Sequence, residues 1–320
     1  MKILKLLTVV FSAFLTSCNV GSGVTPTFFY KLPELNKNVS IKEQTVFEGN
    51  GLKIVAKKIF FSGYSLDLHF DFYNNSDLNY NIICGNEDTN EVSANGWLLD
   101  DGYLNVDCSS GCSANDYMSI SYGSFKILGI ETIGYFELGF YIRNIDGYGR
   151  FDTGTIKIET SAYNNYDKNV KYRDNVKYGA LDEEYNTKSY KFIEKTLYNH
   201  AGIMIKSFYC FKNKDDYVCP IIELWNSSNL ERNIYFKNLS INGLLVSEYF
   251  DFICLRPFTN GLAGGGSLNY YIKNYEGNKN DINPVNKISF EVGYKDSSYT
   301  LKDIETIEID LPKINVVIEE

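Results

Sequence analysis

Tyr73-Asn74-Asn75-Ser76-Asp77-Leu78, followed by Asn81-Ile82, returns later in the chain as Trp225-Asn226-Ser227-Ser228-Asn229-Leu230, followed by Asn233-Ile234, with every spacing kept at an offset of 152. Working outward from this pair, the correspondence continues in the same order. Val92-Ser93-Ala94-Asn95-Gly96 aligns with Leu239-Ser240-Ile241-Asn242-Gly243, and Tyr103 through Cys108 with Tyr249 through Cys254, at offsets of 147 and 146. Phe136-Glu137-Leu138-Gly139-Phe140 then aligns with Phe290-Glu291-Val292-Gly293-Tyr294, and Thr155-Ile156-Lys157-Ile158 with Thr306-Ile307-Glu308-Ile309. Collinear self-similarity marks a duplicated unit. Residues 46–160 and 200–313 are therefore read as two copies of one domain, of a size that suits a β-sandwich.

Within each unit the local pattern is that of strands. Leu66, Leu68, Phe70 and Phe72 alternate with Ser65, Asp67, His69 and Asp71, the period-two signature of a half-buried strand. Residues 54–59, 117–122, 134–142 and 155–158 are further short runs of this type, separated by Asn-Gly, Asp-Gly and Gly-rich turns. The 26 Tyr and 21 Phe favour strands over helices. Only Phe125-Lys126-Ile127-Leu128-Gly129-Ile130 invites a helical turn, capped by Gly129. Residues 161–199 mix Lys, Arg, Asp and Glu with tyrosines and show no sustained apolar stripe, so they read as a charged, solvated linker. The expected fold is all-β, with two tandem antiparallel sandwiches joined by that linker.

The Asn-Asn-Ser-Asp strand end, the Asn-Gly hairpin, the turn at Leu128-Gly129-Ile130 and the aromatic strand from Tyr135 to Tyr141 together resemble immunoglobulin-like repeats found in tandem in uncharacterised bacterial lipoproteins. The resemblance implies an antiparallel sandwich and carries no catalytic residues with it. The second copy departs from it, with an Asn- and Lys-rich loop at 274–286 in place of the Leu-Gly-Ile turn.

The N-terminus carries an address. Lys2 and Lys5 precede an apolar run from Leu6 to Leu15, of signal-peptide length and too short to span a bilayer comfortably. Leu15-Thr16-Ser17-Cys18 resembles the lipobox of bacterial lipoprotein signals at all four positions. The resemblance implies cleavage after Ser17 by signal peptidase II and acylation of Cys18, and two or three acyl chains anchor stably where one does not. An ordinary secretory signal or an uncleaved anchor is the alternative. Residues 1–17 are thus expected to be a signal and 18–45 a flexible tether.

Composition narrows the function. Thirty-one Lys and Arg against 40 Asp and Glu give a net charge of −9, which argues against nucleic-acid binding, and two histidines leave few general bases. Export permits disulfides. Cys108 and Cys254 align with each other, so the unmatched cysteines are expected to pair as Cys84–Cys112 and Cys210–Cys219, with Cys108–Cys112 an alternative bond. A zinc site lacks a C-x-x-C pair.

Asp67, His69 and Asp71 share the outward face of one strand and read as polar surface, the second copy having Cys219, Ile221 and Glu223 there. Gly261 to Ser267 resembles half of a phosphate loop without its lysine and is read as a sandwich loop. The Asn144 to Asp152 segment has a loose calcium-loop spacing and is read as a hairpin turn. Trp97 and Trp225 are candidates for a sugar-stacking or protein-binding platform, although Trp225 replaces Tyr73 and is expected to pack. No catalytic, cofactor or metal residue is assigned. The expectation is a non-enzymatic lipoprotein that binds the membrane through its anchor and a protein or glycan ligand through its loops or sheet edges. A carboxylate-based extracellular hydrolase acting on glycan or envelope polymer, or a spacer without ligand, are the alternatives.

Overall fold

A computed structural model describes residues 31–85, 92–169, 171–264, 267–295 and 300–317. In the first half the strands are β1 (Gln44–Gly49), β2 (Leu52–Phe61), β3 (Ser65–Asn74), β4 (Tyr80–Cys84), β5 (Ser93–Ala94), β6 (Trp97–Leu98), β7 (Leu104–Cys108) and β8 (Ser113–Ser121). Helix α1 (Tyr122–Leu128) follows, then β9 (Tyr135–Leu138), β10 (Tyr141–Asn144), β11 (Arg150–Asp152) and β12 (Ile156–Glu159). Two short helices, α2 (Tyr172–Lys177) and α3 (Ala180–Tyr185), lead into the second half. There the order is β13 (Lys188–His200), β14 (Ile203–Lys212), β15 (Val218–Asn226), β16 (Arg232–Ile241), β17 (Leu244–Leu255), β18 (Asn260–Ala263), α4 (Leu268–Lys273), β19 (Val285–Lys295) and β20 (Leu301–Ile314). The fold is an all-β sandwich of antiparallel sheets, as the alternating pattern predicts.

The two halves share a strand order. The sheet β1-β2-β3-β8 recurs as β13-β14-β15-β18. The facing sheet of the second half, β17-β16-β19-β20, has long unbroken strands; its first-half counterpart is broken into β11-β10-β4-β7 and β12-β9-β5-β6. The latter fragment packs its side chains in the first-half core and also reaches the other half. Its strand β6 pairs in parallel with β18, Trp97 opposite Asn260, and the Asn260 N–H donates to the Gly96 carbonyl at 2.7 Å. One eight-stranded sheet therefore runs β12-β9-β5-β6-β18-β15-β14-β13 through both halves.

Each half closes on its own aromatic core. On β3, Leu66, Leu68, Phe70 and Phe72 are fully buried while the intervening residues are half-buried. Phe70 and Phe72 meet Phe140 edge-on, and Phe236 meets Phe250 and Phe290 in the same way in the second half. Helix α1 begins at Ser121, whose hydroxyl accepts from the Ser124 N–H, and ends at Gly129 in the left-handed conformation. Its second-half counterpart is α4, which the Asn- and Lys-rich sequence beyond it did not suggest.

The recurrent Asn-Ser motif explains itself in atomic detail. The buried Asn74 amide donates to the carbonyls of Leu78 and Cys108, at 2.7 and 2.9 Å, and its oxygen accepts from the backbone and hydroxyl of Ser76. Asn226 repeats this with Leu230, Leu255 and Arg256 at 2.8, 3.0 and 2.9 Å, and with Ser228. The amide thus ties the end of one sheet to the strand of the other. Gly51 and Gly202, both at positive φ, lie against Ser76 and Ser228, where an added Cβ would stand 2.7 and 2.8 Å from the serine Cβ. Only glycine fits either turn.

Three expectations need correction. The Asn network makes Leu255 the counterpart of Cys108, and the register agrees: Cys108 faces Tyr80, whereas Cys254 faces Asn233. A one-residue slip reverses the face, so Cys108 is buried and Cys254 only half-buried. Residues 161–199 are not a solvated hinge, since α2, α3 and β13 occupy most of them. Tyr172, Val176, Ala180 and Leu181 bury themselves against Tyr209 of β14, because the mixed charges sit on one side of short helices whose few apolar residues suffice for a small core. Part of the expected tether is docked as well: Leu32 joins that small core, Val39 is buried, and Asn36 N–H donates to the Glu131 carbonyl.

Replacing Asn226 by Ala leaves the buried carbonyls of Leu255 and Arg256, and the part-buried one of Leu230, without their donor and should lower unfolding free energy by about 1–3 kcal/mol, with a similar loss for Asn74→Ala. Urea titration of the two variants checks this, and equal effects would reflect the equivalence of the halves.

Candidate functional site

The junction between the halves is built from buried polar and aromatic side chains. Glu223 of β15 is 1% exposed, and its carboxylate accepts from the Ser207 hydroxyl at 2.6 Å and the Trp225 indole N–H at 2.8 Å. Arg173 of α2 completes the set with Nε 3.3 Å from the same carboxylate. A buried charge needs such partners. Trp225 meets Trp97 of β6 edge-on at 6.2 Å, and the Arg173 and Lys206 cations lie over its ring. Trp97 is 4% exposed. The two tryptophans therefore fasten one half to the other; Trp225 packs, as expected of it, and Trp97, the remaining platform candidate, is buried.

Beside this junction lies a cleft of about 400 Å³, lined by Leu98, Ile127, Ile253 and Leu262 among others, with Asp100 from the first half and Asp251 from the second. Asp100 accepts from the Ser124 hydroxyl at 2.5 Å. The neighbouring Asp101 carboxyl is raised above its ordinary value by burial, against the opposing hydrogen bonds from Ser121.

A second concavity is polar. On the outer face of β10-β4-β7 the register sets Arg143, Asn81 and Asp107 side by side, with Tyr141, Ile83 and Asn105 in the adjacent row. Asn81, 5% exposed, donates to the Asn105 side-chain oxygen at 2.6 Å and to an Asp107 oxygen at 2.7 Å, and accepts from Arg143 Nε at 2.8 Å. These residues line a shallow depression of about 540 Å³. No sequence motif announced it, because its members come from three strands and converge only through register; the one available signal was Asn81, shared by the repeat.

The remaining sequence candidates fall as follows. Cys18 and the signal lie outside the described residues. Cys84, Cys108, Cys112, Cys210 and Cys219 are free thiols. Cys210 faces Pro220 and Cys219 faces Phe211, so the two side chains leave opposite faces of the sheet. Cys84 faces Leu104 while Cys108 faces Tyr80, and Cys112 sits beside Cys108, its carbonyl 3.6 Å from the Cys108 thiol. Four residues of strand, about 13 Å, thus separate Cys84 from the site of Cys112, beyond disulfide reach. Burial pushes the Cys84 and Cys210 thiols up to about 12, which makes them poor nucleophiles.

Asp67, His69 and Asp71 do not converge: Asp67 accepts from Ser65 and Ser119, Asp71 pairs with Lys57, and the His69 ring lies on Tyr117. Gly261 belongs to β18 and not to a loop; a Cβ there would stand 3.0 Å from Ile253. Residues 144–152 do form the β10–β11 hairpin. Among the described residues no group of three His, Cys, Asp or Glu could hold a metal ion, and no helix is long and apolar enough to cross a membrane.

No family model and no curated protein matches the chain. Similar solved structures include red sea bream transglutaminase, at 8% identity and TM-score 0.21, over 81% of this chain and 31% of that one. A conserved domain protein from Bacillus anthracis is similar at 12% identity and TM-score 0.23, over 85% of this chain and 92% of its own. Likeness at this level carries no argument about activity.

His69 Nε2 is buried without a partner, and burial foremost, with Lys58, lowers its basicity against the pull of Asp67, Asp116 and Asp71. Below about pH 6.5 the unfolded chain takes up a proton that the folded chain refuses, so stability should fall as the pH drops through that value. Thermal melts between neutral and mildly acid pH should show this slope, and His69→Gln should flatten it.

Proposed function

We propose that the chain is a membrane-anchored bacterial lipoprotein, held on the extracytoplasmic side of the cell or outer membrane by Cys18, whose β-body is a non-enzymatic binding module for a protein or glycan. The observation that carries this reading is the pairing of a complete lipobox at Leu15 to Cys18 with a body braced across its middle by Glu223, Arg173 and the two tryptophans. A braced body presents its outer faces in fixed relation, which lowers the ordering cost of binding. The carboxylate-rich surface and net negative charge keep nucleic acid out of the partner list.

A second reading, the carboxylate hydrolase, draws on Asp100 and Asp251 lining one cleft. The double variant Asp100→Asn, Asp251→Asn separates the two: sugar release from envelope polymer that the wild type performs and the variant does not would establish the hydrolase.

Palmitate fed to expressing cells should label the protein, and Cys18→Ala should abolish the label and move the protein out of the membrane fraction. Detergent-solubilised full-length protein should retain a partner in pull-downs or on glycan arrays; label retained in the variant would overturn the anchor.

A further inference from the structure

We propose that the polar depression on the outer face of β10-β4-β7 is a saccharide site, taking a neutral hexose or N-acetylhexosamine unit of a glycan. The inference rests on the binding-module reading and deepens it. The Asn81 amide is spent entirely on its neighbours, so it locks Arg143, Asn105 and Asp107 in place and interposes itself between guanidinium and carboxylate. What each exposed neighbour keeps unused is complementary: Arg143 its terminal nitrogens, Asn105 its amide N–H groups, Asp107 its second oxygen. This is a fixed array of alternating donors and acceptors, the arrangement that adjacent sugar hydroxyls require.

The other ingredient of sugar recognition is an apolar surface for the C–H face; the half-exposed Ile145 lines the depression, and Tyr141 stands in the adjacent row. The charges balance, with Arg143 and Arg150 against Asp107 and Asp152 on the same face, so an anion gains nothing over a neutral ligand.

The second half provides an internal control. Asn81 keeps its counterpart in Asn233, but Lys295, Cys254 and Gly293 stand where Arg143, Asp107 and Tyr141 stand, and Lys295 lies over the Tyr235 ring. The scaffold amide is retained there and the array is dismantled.

Saturation-transfer NMR and calorimetry on detergent-solubilised full-length protein, with neutral hexose and N-acetylhexosamine oligosaccharides and an acidic oligosaccharide as probes, test the proposal. Neutral probes should bind, and Arg143→Ala and Asp107→Ala, both at exposed positions, should each weaken them by about tenfold or more. Lys295→Ala, on the equivalent face of the second half, should leave the affinity unchanged. Binding of the acidic probe alone, binding untouched by Arg143→Ala and Asp107→Ala, or no binding of any oligosaccharide would overturn the saccharide site. In the last case a protein partner still captured by pull-down would leave the binding module standing, whereas its absence as well would remove both.

Discussion

An open sheet edge exposes a row of backbone donors and acceptors that must be covered or shielded, and here each half covers an edge of the other. The parallel contact of β6 with β18 is short, centred on Trp97 and Asn260. It holds only because the flanking side chains hold it: Gly261 admits Ile253 and Leu98 at close range, the tryptophans meet edge-on, and Glu223 is buried under Arg173. The strands β5, β6, β9 and β12 serve both halves, since their side chains pack in the first-half core while their backbone extends the second-half sheet.

The two halves share a strand order and differ in their side chains. What both halves keep is backbone logic: the Asn74 and Asn226 amides, the glycines that turn beneath them, and the Asn95-Gly96 and Asn242-Gly243 hairpins, where both residues take positive φ. What differs is side chains that point outward. Asp71 is a half-exposed partner of Lys57, while its counterpart Glu223 is sunk beneath a helix. The polar array around Asn81 and the pair at Asn233 diverged in the same manner.

The architecture was readable in the sequence to the extent that period and repetition encode it. The alternation on β3, the Gly129 cap and the paired Asn-Ser segments all name local geometry, and the structure has that geometry. The alignment of Cys108 with Cys254 failed because sequence blocks fix an order of strands and leave the pairing free by a residue or two; one residue is enough to exchange inside for outside. The disulfide pairs failed with it, having been inferred by elimination from that alignment. The 161–199 segment misled because charge and tyrosine read as solvent exposure, whereas Tyr172 and Tyr198 are buried. Neither the junction nor the array at Asn81 has a linear signature, since residues such as Asn81, Asp107 and Arg143 are brought together across strands.

The burial of Leu32 has a mechanical side. That side chain lodges among α2, α3 and β14, with Ile127 and Leu262 against the same cluster, where first-half and second-half elements meet. A pull applied to the chain upstream of Leu32 would therefore be delivered to the cluster where elements of the two halves meet.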